Sequence, residues 1–158
     1  MIRKKILLLG DFNVGKTSLI RRYIDDTFDD TYLTTIGVKI SKKILDINDK
    51  KCELLIWDVE GATPQKRIPE NYLLGASGSI FTVDCNREET IDNLDSHIQR
   101  FLAINPGAKY VVAYNKSDLL TDQQRKLFTL EKNSFLTSAK DGANVNQLFA
   151  QLAKEILE

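Results

Sequence analysis

Only two cysteines, three prolines, one histidine and one tryptophan occur in these 158 residues. Cys52 and Cys85 sit singly inside apolar segments, so buried free thiols in a reducing compartment are expected rather than a disulfide framework. An excess of either charge is missing too: 22 basic and 22 acidic side chains cancel, and no overall field favours nucleic acid or an anionic membrane. No apolar stretch is long enough to cross a bilayer. The opening Met-Ile-Arg-Lys-Lys matches neither a signal peptide nor a myristoylation site, and the closing Lys-Glu-Ile-Leu-Glu holds no cysteine to lipidate. A cytoplasmic chain is expected, monomeric by default and without a direct membrane anchor, which leaves room for peripheral recruitment to membranes through a partner. Residues 1–158 are expected to form one domain, long enough to bury a core.

What is present is a rhythm. Short apolar runs (Ile6–Leu9, Leu54–Trp57, Ile80–Val83, Tyr110–Ala113, Phe135–Leu136) alternate with amphipathic stretches along the whole chain. Each run is too short for a helix and suits a buried parallel strand, which predicts an α/β sheet with helices on both faces. Ile91, Leu94, Ile98, Phe101 and Leu102 mark one helical face, and Val145, Leu148, Phe149, Leu152 and Ile156 another. Thr121 followed by Gln124 forms a candidate capping box for a shorter helix. One segment breaks the pattern. Val38, Ile40 and Ile44 alternate with Lys39, Ser41 and Lys43 before a turn at Asn48-Asp49-Lys50. A β-hairpin is predicted there, so the six-stranded sheet should be mixed, with one antiparallel strand. Pro64, Pro69 and Pro106 fall outside the proposed strands.

Gly10-Asp-Phe-Asn-Val-Gly-Lys-Thr17 follows the first run directly and precedes a helical pattern of Leu19, Ile20, Tyr23 and Ile24. This is a complete phosphate-binding loop in its required setting. Gly10 and Gly15 let the backbone wrap a polyphosphate, Lys16 reaches the outer phosphates, and the Thr17 hydroxyl coordinates Mg²⁺. A glycine-rich turn that binds nothing is the bland alternative. Ligands in such folds sit at the carboxyl ends of strands. There Asp58-Val59-Glu60-Gly61 offers an aspartate to hold Mg²⁺ through water and a glycine N–H for the γ-phosphate. Asn115-Lys116-Ser117-Asp118 offers a carboxylate that accepts from both N1–H and N2–H₂ of guanine, a donor pair adenine lacks. Thr137-Ser138-Ala139-Lys140 brings a backbone N–H to the guanine O6.

With these four blocks in order, the chain resembles the Ras superfamily of small GTPases. Within it, Thr35-Ile36-Gly37-Val38, Trp57-Asp58 and Asn71-Tyr72-Leu73-Leu74-Gly75-Ala76 resemble the Rab branch. The resemblance implies a P-loop NTPase fold (a small G-domain) acting as a guanine-nucleotide-dependent switch, a GTP hydrolase with GTP or GDP and Mg²⁺ as cofactors. It implies phosphate contacts from Asn13, Val14, Gly15, Lys16, Thr17 and Ser18, with Lys16 and Gly61 acting in catalysis. Phe28 would pack against the guanine, Asp30 approach the ribose and Tyr32 gate the phosphates, while Thr35 joins Thr17 and Asp58 around the metal. Asn115, Lys116, Asp118, Ser138, Ala139 and Lys140 would form the base site. Effectors and an exchange factor would meet switch regions 29–40 and 61–76, whose ordering by the γ-phosphate makes the domain a switch.

Three departures surround the attacking water. The family's water-orienting glutamine is Ala62 here, a small residue of the phosphate loop is Phe12, and another small residue is Glu60. Losing such a positioning group costs on the order of a hundredfold in rate, so slow or impaired hydrolysis is expected unless Glu60 or Gln65 takes over. Two rivals stand beside this reading. One is a non-cycling, GTP-bound scaffold. The other is a nucleoside or nucleotide kinase, against which the guanine block argues. His97 and Trp57 read as packing residues, and Lys39, Lys42 and Lys43 as edge-strand lysines or a lipid-facing patch.

Overall fold

The computed structural model describes residues 1–26, 37–61 and 67–158. Within them β1 (Ile2–Gly10), β2 (Val38–Ile47), β3 (Lys50–Val59), β4 (Gly78–Asp84), β5 (Lys109–Asn115) and β6 (Ser134–Leu136) form a six-stranded sheet in the order β2-β3-β1-β4-β5-β6. The helices are α1 (Lys16–Asp25), α2 (Glu70–Leu73), α3 (Glu88–Asp92), α4 (Leu94–Ile104), α5 (Asp122–Arg125) and α6 (Val145–Leu157). The β2–β3 pair is antiparallel and the other pairings are parallel, as the alternating Val38–Ile44 pattern predicts. Asn48 and Asp49, with φ of 52° and 63°, make the two-residue turn between β2 and β3, the geometry that suits the twist of a hairpin.

The apolar runs are continuous because both sides of each strand are covered. On one face Ile6, Leu8, Ile56, Ile80 and Val111 pack beneath Leu19, Tyr23, Leu148, Phe149 and Leu152 of α1 and α6. On the other, Leu7, Leu9, Phe81 and Val112 pack beneath Leu73, Leu94 and Phe101 of α2 and α4. Tyr23 and Phe149 stack with ring centroids 3.9 Å apart, and Phe101 meets Phe81 edge-on at 5.7 Å. β2 is left at the sheet edge with Lys39 and Lys42 exposed, the position where lysines oppose edge-to-edge pairing.

Several sequence expectations change in detail. The strands outrun their apolar cores, since the charged residues of Arg3–Lys5 and Lys50–Lys51 also pair in the ladder. The helical face from Ile91 to Leu102 spans two helices divided at Asn93 rather than one. The Thr121 capping box is present, with Gln124 N–H donating to Thr121 Oγ1 at 3.2 Å and Thr121 N–H to Gln124 Oε1 at 2.8 Å. Cys52 is buried, but Cys85 lies just beyond β4 and is only half-buried. Burial and the neighbouring Asp84 charge push the Cys85 thiol up to about 12.

The Tyr23–Phe149 stack joins both helices of one face to the sheet. Phe149→Ala should lower the unfolding free energy by about 3–5 kcal/mol, read from the urea midpoint at constant slope. A loss below about 1 kcal/mol would show that the stack is peripheral to the core.

Candidate nucleotide-binding site

The carboxyl ends of β1, β3, β4 and β5 converge on one edge of the sheet, where the order reverses about β1. Open α/β sheets bind ligands at that crevice. The turn from β1 into α1 lies in it. Gly15 caps α1 with φ of 100°, and a Cβ there would stand 2.3 Å from Asn115 Nδ2. Only glycine allows this approach. Val14 is buried and its carbonyl accepts from Asn115 Nδ2 at 3.0 Å, while Asn13 is exposed at φ 61° and Ser18 half-buried. Lys16 is 6% exposed, and its Nζ donates to the carbonyls of Asp11 at 3.1 Å and Gly10 at 3.4 Å. Burial lowers its pKa to about 8 against the opposing pull of Asp58 and Asp11, with the Arg87 charge adding to the fall. A buried ammonium at the start of a helix, beside first-turn N–H groups that have no intrahelical acceptor, is an arrangement an anion completes.

Beside the loop, Thr17 Oγ1 donates to Asp58 Oδ2 at 2.6 Å. Asp58 is buried at the end of β3. Among the described residues no three His, Cys, Asp or Glu side chains converge as a metal cage. A hydroxyl with one carboxylate is instead the hard-oxygen set that Mg²⁺ takes when phosphate oxygens and water complete its shell. Gly61 is packed against the phosphate loop: a Cβ would stand 2.7 Å from Phe12 Cα and 2.8 Å from Phe12 N. Phe12 is 41% exposed. Glu60 turns toward Gly37, its N–H donating to the Gly37 carbonyl at 2.8 Å and its Oε2 accepting from Gly37 N–H at 3.4 Å.

At the far end of the crevice, Asn115 also accepts from Thr137 Oγ1 at 3.1 Å. Lys116, at φ 64°, reaches back to the Asn13 carbonyl at 3.0 Å and to Asp84 Oδ2 at 2.9 Å. Asp118 Oδ1 accepts from Ser138 Oγ at 2.8 Å, and Ser138 Oγ in turn accepts from Asp141 N–H at 3.2 Å. The wholly buried Ser138 side chain therefore positions Asp118. Ala139 and Lys140 follow on the same loop. The glycine cradle, the Thr17–Asp58 pair and the Asp118 carboxylate together fit a guanine nucleotide with Mg²⁺. Phe28, Asp30, Tyr32, Thr35, Ala62 and Gln65 lie outside the described residues.

Sequence reasoning missed the outer wall of the loop. Asp11 Oδ1 lies 2.8 Å from His97 Nε2, and Asp11 Oδ2 accepts from Asn93 Nδ2 at 2.8 Å. Arg87 Nη1 donates to the carbonyls of Phe12 at 2.9 Å and Asn13 at 3.2 Å. His97 is half-buried, as expected, yet α4 carries it to the phosphate loop rather than leaving it remote. Only the spacing of Asn93 and His97, on one face four residues apart, signalled that they act together. Burial of Asp11 would raise its pKa, but the hydrogen bonds from His97 and Asn93 and the charges of His97 and Lys16 outweigh it and hold the carboxyl below its ordinary value.

A depressed carboxylate stabilises the fold above its unfolded pKa, and that stability fades as pH falls through the folded one. Asp11→Asn should therefore unfold about 1–3 kcal/mol more easily at neutral pH, and the gap should close as pH drops below about 4. Paired urea titrations at several pH values check this; a gap constant with pH would remove the ionic part of the contact.

Comparison with known proteins agrees with this geometry. Residues 5–158 match the Ras family. The Ras-related protein Rab-13 of Canis lupus familiaris is 34% identical over 97% of this chain and 79% of its own length. The Ras-related protein SEC4 of Saccharomyces cerevisiae is 38% identical over 98% of this chain and 75% of its own. The GTP-binding protein ypt1 of Schizosaccharomyces pombe is 33% identical over 98% of this chain and 80% of its own. The chain belongs to the Ras family: it is a Rab-like small GTP-binding protein, a GTP hydrolase by class, with GTP or GDP and Mg²⁺ as its ligands and effectors and exchange factors as its kind of partner.

Proposed function

We propose that this chain is a guanine-nucleotide switch that binds GTP with Mg²⁺ and hydrolyses it slowly. The single observation behind this is Ala62 at the position where the family orients the attacking water. A methyl group neither accepts nor donates a hydrogen bond, so the water loses its main positioning contact. Two further features support the reading. Gly61 lies against the Phe12 backbone, so the benzyl group is carried on the part of the loop nearest the proposed γ-phosphate contact. The Glu60 carboxylate accepts from Gly37 N–H at 3.4 Å, a contact that competes with its holding a water.

In this reading Asn13 to Ser18 cradle the phosphates with backbone N–H groups and Lys16 neutralises their outer oxygens. Thr17, Thr35 and Asp58 (through water) hold Mg²⁺, which when bound supplies charge neutralisation at the phosphate oxygens. Gly61 offers its N–H to the γ-phosphate. Asp118 reads the guanine N1–H and N2–H₂, Ala139 and Lys140 offer backbone N–H groups to O6, and Asn115, Lys116 and Ser138 hold the two ends together. Phe28, Asp30 and Tyr32 close the base, ribose and phosphate sides.

Residues 1–158 act as one domain, a monomer drawn to membranes by a partner and otherwise cytoplasmic. Partners meet regions 29–40 and 61–76. A cleft of about 190 Å³ there is lined by Gly37, Glu60, Arg67 and Tyr72 among others. The Glu60–Gly37 contact, which joins the edges of both regions, also favours a second reading: a GTP-bound scaffold that never cycles. Equal partner affinity with GDP and a GTP analogue would select the scaffold.

Nucleotide analysis of the purified protein followed by single-turnover hydrolysis tests the proposal. Co-purified GTP is expected, with phosphate release on the order of a hundredfold slower than in the Ala62→Gln variant. Phe12→Gly combined with Ala62→Gln should raise the rate further. Bound GDP, with release as fast in the wild type as in Ala62→Gln, would overturn it.

A further inference from the structure

Arg22 lies on α1, outside the four nucleotide motifs, with its side chain 17% exposed. Its Nε donates to the Ala139 carbonyl at 2.8 Å and its Nη2 to the Lys140 carbonyl at 2.6 Å. Nη1 faces Asp26, at 3.2 Å from Oδ1 and 3.4 Å from the carbonyl. The stem passes Gly142, where a Cβ would stand 3.6 Å from Arg22 Cδ. One planar guanidinium thus grips two successive peptide groups of the loop after β6, a fork that a single ammonium cannot reproduce.

The rest of that loop is fixed elsewhere. Gly142 N–H donates to the Ser138 carbonyl at 2.8 Å and Ser138 N–H to the Ala143 carbonyl at 3.2 Å. Ala143 N–H donates to Asp141 Oδ1 at 2.8 Å. These contacts hold residues 138 and 141–143, and Arg22 holds the carbonyls of 139 and 140. In a trans peptide the N–H opposes the C=O of the same plane. Holding the Ala139 carbonyl therefore fixes the direction of the Lys140 N–H, and the Ser138 carbonyl contact does the same for the Ala139 N–H.

We propose that Arg22 is a positioning residue for base selection, aiming the Lys140 backbone N–H at the guanine O6 beside an Ala139 N–H that the Gly142–Ser138 contact already directs. The inference rests on the proposed base site. A misaimed donor leaves a buried acceptor unpaired, and such losses discriminate between bases more strongly than lost contact area. Asp118 reads N1–H and N2–H₂ rather than O6 and is held by Ser138 rather than Arg22, so the 2-amino contribution separates from that of O6.

The test is competition binding of three nucleotides to the whole chain: GDP, the 2-aminopurine riboside diphosphate, which lacks O6 and with it the N1–H, and inosine diphosphate, which lacks only the 2-amino group. The N1–H loss is the same for wild type and variant and cancels when their ratios are compared. The wild type should prefer GDP over both. In Arg22→Ala the preference over the O6-less nucleotide should shrink about tenfold, while the GDP-to-inosine ratio stays within about twofold. Arg22→Lys keeps charge and stem and should lose about threefold of the same preference, which covers an Arg22→Ala variant that fails to fold. Equal weakening of all three nucleotides, or no change in the ratios, would overturn the inference. A wild type that binds GDP and the O6-less nucleotide alike would overturn the base-site reading itself, and the inference with it.

Discussion

The site depends on one buried amide. Asn115, 1% exposed, donates through Nδ2 to the Val14 carbonyl and accepts through Oδ1 from Thr137 Oγ1. Its backbone carbonyl takes the Cys85 N–H at 3.0 Å. The phosphate loop, the base loop and the end of β4 thus share one residue. The amide needs room, and Gly15 supplies it, since any Cβ there would strike Nδ2. A buried amide with unmet partners is costly, whereas a satisfied one rigidifies what it joins. The distance between the proposed phosphate and base sites is therefore set by an interaction inside the protein.

Much of this was legible in the chain because it obeys local rules. Parallel strands covered on both faces read as unbroken apolar runs, and Ile6 to Leu9 splits alternately between the two cores. The hairpin announced itself by alternation and by Asn48-Asp49, and the loop Gly10–Thr17 by its fixed glycines and lysine. Boundaries were harder to read, because strand ends such as Lys50 and Lys51 pair by backbone whatever their side chains.

The unread contacts share a different property: they join residues far apart in sequence through side chains with ordinary alternatives. His97 to Asp11 spans 86 positions, Arg22 to Ala139 spans 117, and Arg87 to Phe12 spans 75. A lone histidine on an amphipathic helix gives no sign of its partner, and an arginine on α1 reads as a solvated cation. Lys116 was assigned to the base motif, yet its pairing with Asp84 needed the register of β4 beside β5. What escaped was the layer of side chains that holds the motifs, rather than the motifs themselves.

That layer resolves an apparent conflict between a chain of zero net charge and a site for a polyanion. Unpaired cations crowded on one loop would repel one another, as the effect of Arg87 on Lys16 indicates. Three of these cations have a carboxylate close by: Lys116 with Asp84 at 2.9 Å, Arg87 with Glu89 at 3.1 Å, and Lys16 in the field of Asp58 and Asp11. Pairing cancels much of the long-range field, and what remains is short-ranged and directional. Recognition then falls to backbone N–H groups and to the few side chains that orient them. In the site proposed, a residue that never touches the nucleotide but fixes the plane of a peptide would help to govern which base is accepted.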